Sequence, residues 1–239
     1  MCTVSYIATE KGFTLTSNRD ETASRPTLSP AEYHINGNDL FFPKDKVGEG
    51  SWIACDKKGQ VSCLLNGAFE KHRRSLPYNR SRGKILLESF SYKNIPIFLQ
   101  EVDLNNTEPF TLILVKNNKL TELKWDGVKK YIKNLNTTEN YIWSSATLYP
   151  KNVAETKEEW FKNWITEYSE DSEKNILKFH STKHGTEPSK DVNSQFKGDL
   201  KTVSITQIKN IESKGIMEYH DLVNGTIDRV LFKTLSDNV

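Results

Sequence analysis

Cysteine is scarce in this sequence, with three at positions 2, 55 and 63 among 239 residues. Three thiols cannot close a disulfide set, and none sits at a C-x-x-C or Cys/His spacing suited to zinc. The sequence therefore predicts a reducing, cytoplasmic setting and a fold held by its own core. A domain of this length buries roughly 70–75% of its unfolded surface and needs no staple. Long apolar runs are also missing. None approaches the roughly 18 residues of a membrane span, and the opening residues lack the basic and apolar regions of a signal peptide. The start of the chain is accordingly expected to belong to the fold. Charge of one sign is in no excess either, since 33 Lys and Arg face 31 Asp and Glu for a net charge of +2. That balance excludes a basic nucleic-acid arm or an acidic tail.

Arginine is the remaining scarcity. Seven occur, and six of them fall between positions 19 and 82. A guanidinium is favoured where a planar fork must grip a carboxylate or phosphate. Unless the clustering is chance, that third of the chain is where a site belongs.

What is present is a series of short alternating runs. Residues 2–8 and 13–17 read as strands joined at Lys11-Gly12. A second hairpin covers 51–55 and 60–65, turning through Asp56–Gly59 and running into Asn66-Gly67. Residues 110–115 and 120–125 flank Asn117-Asn118, 141–148 form a further strand, and 203–208 with 216–220 make a last hairpin around Ser213-Lys214-Gly215. Helical spacing covers 82–90, 95–103, 153–168 and 172–182. Residues 26–50 read as a polar connection with Pro26, Pro30 and Gly37, and 185–199 as a loop. Strand-rich and helical stretches alternate in blocks. The pattern predicts an α+β fold of two antiparallel sheets with helices outside, in a single domain over residues 1–239, and not the regular βα repeat of a parallel sheet.

Two constellations could carry chemistry. If Met1 is removed, Cys2 bears a thiol and a free α-amine on one residue. An α-amine with a pKa of about 7.7–8.0 can serve as base for a thiol near 8.5. The other reading is an ordinary buried cysteine. The tetrad Asn18-Arg19-Asp20-Glu21 ends the second strand, where the hairpin returns beside the start of the chain. A guanidinium there lowers a nearby thiol pKa, and a carboxylate can hold the amine or the arginine; taken alone, the tetrad is also a solvated turn.

Met1-Cys2, N-R-D-E at 18–21 with Arg25-Pro26, Gly50-Ser51-Trp52-Ile53, Gly59, Leu65-Asn66, Ser81-Arg82-Gly83 and Ser144-Ser145-Ala146 occur in a telling order. In that order and spacing the chain resembles the NRDE family, the transport and Golgi organisation family, over nearly its whole length and most closely in residues 1–90. The resemblance implies a four-layer αββα sandwich similar to N-terminal-nucleophile hydrolases, in particular the penicillin V acylase and bile salt hydrolase branch, which also begins Met-Cys. It implies an amide hydrolase acting on a linear, non-peptide C–N bond, without metal or cofactor. Cys2 would attack the carbonyl, Arg19 and Asp20 would orient and polarise the nucleophile, and Asn66 would donate to the oxyanion. Asn18, Trp52, Arg82 and Ser145 would bind substrate. The chain departs from the pattern at Ser145, where relatives often carry Asn, and at Lys201-Thr202, where a late Arg is usual.

The same family implies a rival, a non-catalytic haem-binding or trafficking protein on the same fold. Five histidines, at 34, 72, 180, 184 and 220, are the candidate axial ligands, without a C-x-x-C-H attachment motif. His180 and His184 share a helical face as an i, i+4 pair, or lie at a frayed helix end beside Gly185. Lys71-His72-Arg73-Arg74, with Arg80 and Arg82, would either steer an anion or form a basic loop without a fixed ligand. Trp160, Phe161 and Trp164 have the spacing of one core-facing helix side, and Cys55 and Cys63 are expected to pack as small apolar residues.

Overall fold

The computed structural model describes residues 3–72, 78, 80–168, 172–182, 200–211 and 214–233. In β1 (Thr3–Thr9) and β2 (Gly12–Thr22) successive side chains alternate between faces. Val4, Tyr6, Phe13 and Leu15 enter an apolar core, which leaves Ser5, Thr14, Thr16 and Asn18 on the opposite side. The hairpin is the centre of a six-stranded antiparallel sheet with β10 (Tyr141–Ser144), β11 (Leu200–Ile211), β12 (Lys214–Asp221) and β13 (Thr226–Lys233), in the order β10-β1-β2-β11-β12-β13. A seven-stranded antiparallel sheet runs in chain order through β3 (Thr27–Ile35), β4 (Asn38–Asp45), β5 (Ile53–Asp56), β6 (Val61–Asn66), β7 (Phe110–Lys116), β8 (Lys119–Trp125) and β9 (Lys130–Leu135).

The sheets pack face to face over Val4, Leu15, Ile53, Cys63, Ile113 and Met217. Helices α1 (Arg82–Glu88) and α2 (Ile95–Glu101) bury Ile85, Leu86 and Phe98 against Leu64, Leu112 and Leu123 on the outer face of the seven-stranded sheet. Helices α3 (Lys151–Glu167) and α4 (Ser172–Ser181) bury Phe161, Ile176 and Phe179 around Ile7 of the other sheet. The result is the αββα layering expected from the sequence. Trp164 packs beside Phe179 as its spacing predicts, while Trp160 stays half-exposed. Cys55 and Cys63 are buried free thiols. Burial pushes the Cys63 thiol up to about 12, so it is inert at neutral pH.

Four strands escaped the sequence reading, and three of them, β3, β9 and β13, are sheet edges. The stretch 26–50 is not a polar connection: β3 and β4 form a hairpin there around Asn36 and Gly37, whose φ of 50° and 78° suit a tight turn. Pro30 falls where the β3–β4 register shifts between Leu28 and Ala31, a place where a missing N–H costs nothing. β9 and β13 are the other two. Edge strands carry charge and exposed positions on both faces, so the alternation that reveals a strand fades. β10 is shorter than expected, because the Ser145 carbonyl accepts the Leu148 and Tyr149 amides and turns the chain. The loop at 185–199 and Ser213 lie outside the described residues.

Two glycines join segments far apart in sequence. A Cβ on Gly50 would sit 2.6 Å from the Gly83 carbonyl carbon, and one on Gly83 would sit 2.8 Å from the Ser51 oxygen. Only bare backbone lets the start of α1 touch the segment before β5. Gly50→Ala is expected to cost about 1–3 kcal/mol through overpacking. Urea denaturation should show a lower midpoint with an unchanged slope.

Candidate active site

The glycine contact brings Ser81-Arg82-Gly83 beside Gly50-Ser51-Trp52, and both line a cleft of about 690 Å³. Its other walls include Arg19, Asp20 and Glu21 from the end of β2, Asp45 from β4, and Asn66 from β6. A second close approach shapes the far side. Gly67, at φ 81°, has room for a Cβ only 3.1 Å from that of Ala146 and 3.0 Å from the Thr147 methyl. The sequence motifs therefore converge because backbones touch there.

Period-two alternation splits the N-R-D-E tetrad. Arg19 turns inward between the sheets, only 3% exposed, with its guanidinium carbon 4.8 Å from the centre of the Trp52 ring. Its Nη2 donates to Asp45 Oδ2 at 3.3 Å, and Arg25 Nη2 reaches the same oxygen at 2.8 Å. Asp45 Oδ1 accepts the Val47 and Gly48 amides at 2.9 and 3.1 Å. Burial pushes this carboxyl up, but the two amides and the Arg25 guanidinium together outweigh it and hold Asp45 below the usual carboxylate range. Sequence reasoning missed Asp45 as the anion of the site. An aspartate two and three residues before the amides it caps is an Asx-type turn signal, but nothing local ties it to Arg19.

Asn18 faces the other way, into the helix layer. Its Nδ2 donates to the His180 carbonyl at 3.1 Å, and its Oδ1 lies 2.6 Å from His180 Nδ1. Since Nδ2 is used as the donor, Oδ1 must accept, which makes Nδ1 the protonated ring nitrogen. Nε2 then accepts from Ser5 Oγ at 2.7 Å. His180 is thus a 6% exposed anchor between α4, β1 and β2, not a residue of a frayed helix end, and the structure puts Asn18 there instead of on the cleft wall. His184 lies outside the described residues. His180→Ala is expected to lower stability by about 1–3 kcal/mol by leaving Asn18 and Ser5 unmet. Calorimetry should show the loss, and Asn18→Ala should add little on top of it because both break one network.

Asp20 lines the cleft and accepts Thr202 Oγ1 at 2.6 Å across β11, next to a register shift between Thr202 and Ser204. Arg82 lines it too, donating to the Pro109 carbonyl at 3.2 Å and pairing with Glu108 at 3.2 Å. Asn66 and Trp52 are on the wall, whereas Ser145 is fully buried and donates to the Asn66 carbonyl at 2.8 Å. The cleft therefore brings together Arg19, Asp20, Trp52, Asn66 and Arg82, and leaves Asn18 and Ser145 as braces behind it. Cys2 lies outside the described residues. Thr3, the first described residue, is the register partner of Asn18.

The basic residues of the cleft are not a free cationic field. Arg25 pairs with Asp45 and Glu21, Arg80 with Glu88, and Arg82 with Glu108. Arg73 and Arg74 lie outside the described residues. His34 pairs with Asp39 and His220 with Glu218, which leaves His72 as the cleft histidine among the described residues, 3.7 Å from Glu108. Among the described residues the cleft thus offers one histidine as a candidate axial ligand, and it faces a carboxylate. Among the described residues no cluster of three His, Cys, Asp or Glu could hold a metal ion, and no helix is long and apolar enough to cross a membrane.

Residues 1–226 match the family model described as Transport and Golgi organisation 2. The chain belongs to that family. No curated protein matches it in sequence. Among solved structures, this chain is similar to a variant of conjugated bile acid hydrolase from Clostridium perfringens, with a TM-score of 0.62 at 12% identity, over 96% of this chain and 92% of that one. A mutant of the same hydrolase gives 0.58 at 12% identity over the same shares. The Caenorhabditis elegans ortholog of N-acylethanolamine-hydrolyzing acid amidase gives 0.52 at 12% identity, over 87% of this chain and 92% of that one. At such identity the likeness establishes the fold, an N-terminal-nucleophile-hydrolase-like α+β sandwich.

Proposed function

We propose that this protein is a cysteine N-terminal-nucleophile hydrolase that cleaves a linear, non-peptide amide of a small molecule through an acyl-enzyme on Cys2. The observation that carries the reading is the cleft at the end of the first hairpin. Arg19, Asp20 and Asn66 all line it, and Arg19 follows Asn18, the partner of Thr3. The described chain begins at Thr3, the residue after Cys2, and Thr3 sits on that strand end. The names of the similar structures, a conjugated bile acid hydrolase and an acid amidase, support hydrolysis of an acylated small molecule.

In this reading, loss of Met1 frees the α-amine. The amine takes the thiol proton as Sγ attacks the carbonyl carbon, and the Arg19 charge favours the thiolate. The Asn66 amide donates to the developing oxyanion. As the C–N bond breaks, the ammonium returns its proton to the departing amine, leaving a thioester that water, deprotonated by the same amine, hydrolyses to acid and free thiol. Asp20, tethered by Thr202, orients the α-amine.

Intact-mass analysis before and after incubation with a panel of N-acyl amides tests the reading. The expected result is a chain that begins at Cys2, gains an acyl mass and releases amine. A purified chain that retains Met1 has a blocked amine and would refute the mechanism.

A further inference from the structure

Three buried N–H donors on the cleft wall lack an acceptor among the described residues. Arg19 Nη1, Arg25 Nε and Trp52 Nε1 are each shielded from solvent without a hydrogen-bond partner among the described residues, and all three side chains line the cleft. Trp52 is 2% exposed and Arg19 3%. The guanidinium of Arg19 lies over the Trp52 ring, and Arg25 meets Arg19 on Asp45, so the three groups share one neighbourhood. Asp45 has no capacity left for them. Its Oδ1 takes the Val47 and Gly48 amides and its Oδ2 takes both guanidiniums, which fills the roughly four acceptor sites of a carboxylate.

Buried N–H groups left unmet are costly and rare in folded proteins. Three donors beside a saturated acceptor select a group that only accepts. An ammonium would add donors, and a hydroxyl would bring one of its own. Two of the three donors belong to guanidiniums, whose geometry and charge suit a carboxylate over a neutral carbonyl. We propose that Trp52, Arg19 and Arg25 form a subsite for a carboxylate on the ligand, with the Trp52 indole N–H as its specificity-determining donor. Joined to the hydrolase reading, on which it rests only in calling that ligand a substrate, the subsite narrows the substrate class to linear amides that carry a free carboxylate.

The test uses the Cys2→Ala protein, in which binding is separated from turnover. With five tryptophans the ¹⁵N-labelled chain has five indole N–H signals, and Trp52→Phe identifies the one that matters. Hexanoate is expected to move that signal downfield in a saturable way, hexylamine is expected to leave it in place, and hexanamide to act much more weakly. Trp52→Phe should raise the Kd for hexanoate about tenfold or more, with the four remaining indole signals (five less Trp52) confirming that it is folded. Should that variant not fold, Arg25→Leu, on a half-exposed side chain, is expected to weaken hexanoate binding to a similar degree. A response to hexylamine equal to that of hexanoate, or hexanamide binding as tightly as hexanoate, overturns the carboxylate assignment, as does an unchanged Kd in both variants. The two readings fail separately. Hexanoate binding without hydrolysis of any amide by wild type leaves the subsite and removes the enzyme, whereas equal turnover of neutral and carboxylate-bearing amides leaves the enzyme and removes the subsite.

Discussion

Cys2→Ala is expected to abolish amide hydrolysis while leaving the fold intact. Removing a nucleophile that works together with its base costs on the order of 10⁵–10⁶ in kcat in serine hydrolases, since the residual binding and oxyanion contacts act on a much slower reaction. The substitution removes the thiol but keeps the α-amine, so any rate that survives measures what Asn66 and the rest of the cleft do alone. Alkylation by iodoacetamide supplies a second readout. Burial leaves Cys55 and Cys63 unreactive, so the native chain should take up one label, at Cys2, and the variant none. Equal labelling of the two proteins would count against a reactive N-terminal thiol. Wild-type activity in Cys2→Ala would remove the nucleophile assignment altogether.

Asp45→Ala should produce the largest loss of stability. Asp45 neutralises Arg19, a guanidinium only 3% exposed, and holds Arg25 and two loop amides with the same carboxylate. Removing one partner of a buried ion pair leaves an uncompensated charge and costs about 3–5 kcal/mol. For a domain of this size that is a fall in Tm of roughly 10 °C. Differential scanning calorimetry on both proteins measures it, and a change of less than a degree or two would mean that water or another group neutralises Arg19. The pH dependence has a definite sign. The folded pKa of Asp45 is depressed, so its contribution is complete above the ordinary carboxylate value of about 4 and is lost as the pH falls through the lower folded value. The stability difference between wild type and Asp45→Asn should therefore stay constant from neutrality down to about pH 4 and shrink below it.

How much of the site was legible in the sequence depended on how local its geometry is. Arg19 and Asp20 could be placed near the start of the chain because a two-strand hairpin with a short turn has one register, and Thr3 does pair with Asn18. The same alternation also sends Asn18 away from Arg19, into the helix layer with His180, and that consequence needs to know which face α4 covers. Ser145 carried a motif position, yet its hydroxyl is used on the Asn66 carbonyl. Asp45 and Glu108 were missed as parts of the site because each acts through a partner more than 20 residues away, Arg19 for Asp45 and Arg82 for Glu108.

The sequence by itself determined the antiparallel α+β class, the burial of Cys55 and Cys63 and the family, because apolar periodicity and motif order are written locally along the chain. It also marked Gly50 and Gly83 as motif positions without a reason. Only the tertiary structure supplied that reason, a backbone contact that a single methyl group would break. Only the packing of two sheets decided that one scarce arginine lies buried on Trp52, that Asp45 is saturated by its neighbours, and that three N–H donors on the cleft wall lack a partner among the described residues. Hydrogen-bond capacity is filled or left open by groups that meet across layers, and no local pattern records which of them will meet.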